Sequence, residues 1–68
     1  MTLPDERTRA VLHTEQFLHS LLDPKLTPRV PRDVRKQALR CLRHYPAAYY
    51  IETAARFVPD IFGSLRDA

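Results

Sequence analysis

A single glycine in 68 residues, Gly63, leaves no material for a glycine-rich loop that cradles phosphates. Together with the lack of any low-complexity tract, it also argues against a linker-like or disordered chain. A single cysteine, Cys41, excludes an internal disulfide framework and the common multi-cysteine zinc sites. The two serines, Ser20 and Ser64, stand outside any nucleophile-elbow pattern. No apolar run approaches the roughly 20 residues that a bilayer-spanning helix needs. The opening MTLPDERTRA mixes acids with bases, and no long apolar core follows it, so no signal peptide is expected and the setting is read as cytoplasmic. No internal repeat is evident, and no alternating segment is long enough to compete as a strand.

The titratable residues give no chemistry either. His13, His19 and His44 are not spaced as ligands on adjacent helical turns, and a zinc site needs three or four suitable ligands. The acids are scattered: Asp5, Glu6, Glu15, Asp23, Asp33, Glu52, Asp60 and Asp67. Nothing places two of them across an enclosed pocket, and a small bundle has little volume for a closed, dry one. The expectations are no enzymatic activity, no cofactor, no metal ligand, no small-molecule substrate and no membrane association.

Length allows one domain, 1–68. A domain this small is marginal: ordering costs roughly 1.5 kcal/mol per residue against about 25 cal/mol per Å² of apolar area buried. A homodimer, or another partner that completes the core, follows as an expectation.

The chain is organised around Pro31 to His44, PRDVRKQALRCLRH. Pro31 suits a first helical position, and Asp33 meets the positive end of the helix dipole. Val34, Ala38, Cys41, Leu42 and Tyr45 recur at the spacing of one buried face, which makes Cys41 a small buried thiol. Pro46 disfavours helical backbone at Tyr45, so the helix should stop there or just before. Between Arg29 and Arg43 lie six basic residues and one acid, while the rest of the chain carries five basic and seven acidic residues. Arg32, Lys36, Arg40 and Arg43 are spaced to share the solvent side.

Upstream, a first helix is predicted over Leu3–Leu22, with Thr2 and Asp5 forming a capping box. Val11, Thr14, Phe17, Leu18, Leu21 and Leu22 make its apolar stripe, and Arg7 sits at the stripe's boundary. The connector Asp23–Val30 is broken by prolines, with Leu26 covering the joint between helices one and two. Downstream, a third helix is predicted from about Ala48 until Pro59 stops it, with Ile51, Ala54, Ala55 and Val58 inward. Ile61, Phe62 and Leu65 then form a last turn, Gly63 supplies a stop, and Ser64 to Ala68 are expected to fray. The predicted fold is all-α: a compact three-helix bundle with a short C-terminal helical turn. Its expected core is Val11, Phe17, Leu18, Leu21, Val34, Ala38, Cys41, Leu42, Ile51, Ala54 and Val58.

Two function classes remain. The first is a protein-interaction or regulatory module, binding a protein partner or a second copy. Arginine and tyrosine are favoured at interface hot spots, which points to Arg32, Arg35, Lys36, Arg40, Arg43, Tyr49 and Tyr50 as contact residues. The second is nucleic-acid binding, with the same basic helix on phosphates. The proline-rich first turn and the single base, Arg56, in helix three give no recognition-helix signal for it.

The opening TLPDERTRAVLHTEQFLHSLL and the later LRHYPAAYYIETAA resemble a small uncharacterised family of proteobacterial proteins. The resemblance rests on ERTRAV, Glu6 to Val11, and RHYP, Arg43 to Pro46. It covers most of the chain and implies a bacterial cytoplasmic origin, but it brings no catalytic residue, cofactor or partner.

Overall fold

A computed structural model describes residues 1–64. The protein is all-α, with helices α1 (Pro4–Leu22), α2 (Arg32–Leu42) and α3 (Ala48–Phe57) and no strand among the described residues. It divides into two units. One holds Met1–His13 and the chain from Pro46 onward; the other is Thr14–Tyr45.

In the first unit, α1 starts one residue later than the expected box. Leu3 is the cap: its carbonyl accepts the Arg7 N–H at 3.0 Å, and its N–H donates to Glu6 Oε1 at 2.8 Å. Glu6 thus supplies the return half of a capping box. Pro4 takes the first helical position, where its missing N–H is not needed. Asp5 pairs instead with Arg9, at 3.0 Å across one helical turn. Glu6→Ala should cost about 1 kcal/mol, read as a small downward shift in thermal unfolding; an unchanged midpoint would count against this cap.

Pro59 ends α3 by forcing Val58 out of helical backbone, at φ −134° and ψ 63°. The chain then makes one more turn, with Ile61 and Phe62 N–H both donating to the Val58 carbonyl at 2.9 and 3.1 Å. This turn is docked on the start of α1. The Thr8 hydroxyl, 2% exposed, reaches the Gly63 carbonyl at 2.7 Å, with the Pro4 carbonyl also in range at 3.2 Å. Arg7 donates to the carbonyls of Ile61 (Nε, 2.7 Å), Asp60 (Nη2, 2.9 Å) and Thr2 (Nη1, 2.7 Å). Gly63 is therefore more than a stop: a Cβ there would lie 2.6 Å from the Asp5 nitrogen. Leu65, and the expected fraying beyond Ser64, lie outside the described residues.

In the second unit, Asp23 takes up the end of α1. Its N–H donates to Ser20, its carbonyl accepts from Leu26 and Thr27, and its Oδ1 accepts from Lys25 N–H at 2.9 Å. Pro31 sits one position earlier than expected, as the cap of α2, with its carbonyl accepting from Val34 and Arg35 N–H.

Several core expectations need correction. Ala38 and Ile51 are buried, and Val11, Leu18, Leu21, Leu42 and Ala54 are half-buried; Phe17, Val34, Cys41 and Val58 are exposed, and so is Leu26. On α1 the inward line runs Thr8, Val11, Glu15, Leu18 and Leu22, which leaves Phe17 outside with Ala10 and His13, at 61% exposure. On α2 the inward line is Arg35, Ala38 and Leu42, so the helix is turned toward Arg35 and away from Val34 and Cys41. The physical reason is the Arg35 guanidinium, which donates to the Leu21 carbonyl at 2.6 Å and to the Thr27 carbonyl. Those bonds fix which edge of α2 faces the end of α1.

Candidate interaction surface

The outer face of α2 is built by spacing alone. At about 100° per residue, Arg32, Lys36, Arg40 and Arg43 fall within an arc of about 80°, and about 16 Å of helix separates the first from the last. All four are exposed. Among the described residues none of them makes an ion pair or side-chain hydrogen bond; the ion pair found there joins Arg9 to Asp5. Arg35, expected with them, is half-buried and spent on the internal bonds described above, with Thr27 Oγ1 also 3.3 Å from its Nη1.

Leu39 lies on the same face, one step of three from Lys36 and one of four from Arg43, and is 55% exposed. Sequence reasoning passed over it, although its wheel position among the bases was readable. Asp33 is exposed at the far edge of the arc, and Lys25 and Arg29 are exposed on the connector of the same unit. The Cys41 thiol is free and exposed.

Tyr49 and Tyr50 belong to α3, in the other unit, and are both exposed. Their rings meet edge to face, with centroids 5.4 Å apart and planes at 77°. Phe57, seven residues on from Tyr50, shares its side of α3 and is 75% exposed.

Among the described residues no three His, Cys, Asp or Glu side chains gather as a metal site. No helix among them is long and apolar enough to cross a membrane. No family model matches the chain, and comparisons with curated proteins and with solved structures return no match. The ERTRAV and RHYP resemblance therefore stands on those residues alone.

Proposed function

We propose that this chain is a small protein-interaction module whose α2 face docks an acidic protein surface, in the bacterial cytoplasm that the family resemblance implies. The observation that carries the reading is four exposed bases, without a side-chain partner among the described residues, set around an exposed Leu39. The bases orient an acidic partner and speed its encounter. Leu39 supplies apolar area that loses water on contact, which a phosphate backbone has no use for. Asp33 at the rim would also repel phosphates.

The second reading, nucleic-acid binding through α2, draws on Lys25 and Arg29, which extend the positive charge of the same unit. Titration against two probes separates them: an acidic peptide carrying leucines, and a mixed-sequence duplex DNA. The expected result is peptide binding that Arg40→Glu/Arg43→Glu weakens at least about tenfold and that Leu39→Gln also weakens. Tighter binding to the duplex, falling with salt at a slope of about 0.9 per phosphate contacted and indifferent to Leu39→Gln, would replace the first reading with the second.

A further inference from the structure

We infer that the outer face of α3 is a contact between two copies of this chain, with the two α3 helices packed antiparallel. This rests on the first unit alone and does not depend on what α2 binds.

The face starts from an imbalance. Tyr49, Tyr50 and Phe57 are 69%, 64% and 75% exposed. The tyrosines keep a hydroxyl in water, but Phe57 has no polar handle to offset its exposure. Val58, at the end of the same helix, and Ile61, on the turn that follows, are exposed as well.

The order of residues around α3 then says what covers the face. Thr53 and Tyr49 run along its middle, Tyr50 and Phe57 along one flank, and Glu52 and Arg56 along the other. Glu52 and Arg56 are both exposed, and although one turn apart they form no ion pair with each other or with any other described residue. When two copies pack antiparallel about an axis near Thr53, each flank meets the same flank of the other copy in reverse order. Glu52 of one copy then faces Arg56 of the other, twice over, and Tyr50 faces Phe57, twice over. A parallel pair would instead set the Glu52 and Arg56 flank of each copy against the Tyr50 and Phe57 flank of the other, and both charges would lose their cross-copy partner. The antiparallel pair also opposes the two helix dipoles favourably. Such self-complementarity is what a two-fold interface requires.

Size sets the strength. Aromatic side chains bury about 150–250 Å² each, so covering what these three leave exposed removes about 400 Å² per copy. A standard interface takes about 800 Å² per partner. The rest comes from Thr53, Glu52 and Arg56, which places the dimer among weak, reversible ones.

Sedimentation velocity on the full chain, from micromolar to millimolar, tests this. The wild type should show a monomer–dimer equilibrium. Phe57→Asp, at a solvent-exposed position, should keep the helical circular dichroism and raise the dimer Kd about thirty-fold. Glu52→Arg or Arg56→Glu alone should raise it roughly tenfold, because each change acts at two symmetric contacts. The double swap Glu52→Arg/Arg56→Glu should return it to the wild-type value. A chain that stays monomeric at millimolar concentration overturns the inference, as does a dimer indifferent to Phe57→Asp and Glu52→Arg. A double swap that fails to recover dimerisation overturns the antiparallel register. Monomer that co-floats with phosphatidylcholine vesicles through Phe57 would show that lipid covers the face, and overturns it too.

Discussion

Gly63→Ala should lower stability by about 2–3 kcal/mol, which for a chain of this length is a fall in Tm of about 10–20 °C. The new Cβ would meet the Asp5 nitrogen at 2.6 Å, the Asp5 Cα at 2.9 Å and the Pro4 carbonyl carbon at 3.0 Å. These are backbone atoms in the first turn of α1, so no side chain can swing aside. Backbone strain at Gly63 plays no part, because its φ is not positive. Alanine's stiffer unfolded chain offsets at most about 1 kcal/mol. Relief of the clash requires the segment after α3 to lift, and lifting lengthens the Thr8–Gly63 bond together with the bonds from Arg7 to Asp60 and Ile61. Thr8→Val provides the control. It keeps the shape of a buried side chain and removes the hydroxyl, leaving the Gly63 carbonyl without that donor, at a cost of about 1–2 kcal/mol. The two changes act on one contact, so their double mutant should cost less than their sum. Thermal and urea unfolding by circular dichroism decide the matter. A Gly63→Ala protein that melts with the wild type would mean that this turn is not docked on α1 in solution.

The helices were legible because their limits are local. Pro31, Pro46 and Pro59 restrict the backbone within a residue or two of themselves, and the observed ends of α2 and α3 follow them closely. The basic arc was legible for the same reason: Arg32, Lys36, Arg40 and Arg43 share a face through spacing alone. What spacing withholds is which face turns inward. Thr8 is the most deeply buried polar residue among the described residues, yet its partner Gly63 is 55 positions away, and no local hydropathy pattern points from one to the other. Phe17, Val34, Cys41 and Val58 were placed inside by hydropathy. So small a chain lacks the interior to cover every apolar side chain, and hydrogen-bonding demands decided which edges were covered. Arg7 and Arg35 show those demands most plainly. Each looks like another surface charge in the sequence, and each is spent on backbone carbonyls within its own unit. The candidate site was readable in part: the bases were, while their lack of internal partners depends on where the acids end up. Leu39 shared their wheel position and was overlooked because it breaks the polar pattern.

Arg35→Met should cost about 2–4 kcal/mol. The last carbonyls of a helix have no partner within it, and at the end of α1 the Asp23 N–H satisfies Ser20 while Arg35 Nη1 satisfies Leu21 at 2.6 Å. Nη2 of the same guanidinium takes the Thr27 carbonyl, so one side chain ties α2 to both the end of α1 and the connector. These bonds are charge-assisted, and a cation at a helix C-terminus is favoured by the dipole. Methionine keeps most of the stem's packing, so the loss measures the guanidinium rather than the apolar contact. Lysine should recover only part of it, because a single ammonium does not reproduce the planar fork. Thr27→Val should couple to Arg35→Met by about 1 kcal/mol, since the Thr27 hydroxyl also donates to Ser20 at 2.8 Å and lies beside Arg35 Nη1. Arg40→Met is the decisive comparison: Arg40 is exposed and has no partner among the described residues, so its loss should change stability by less than about 0.5 kcal/mol while weakening capture of an acidic peptide. Two arginines five positions apart on one helix would then divide cleanly, one into folding and one into binding. If Arg35→Met instead behaved like Arg40→Met in both measurements, Arg35 would belong with the outward bases, and the orientation of α2 would have to be assigned to Ala38 and Leu42 alone.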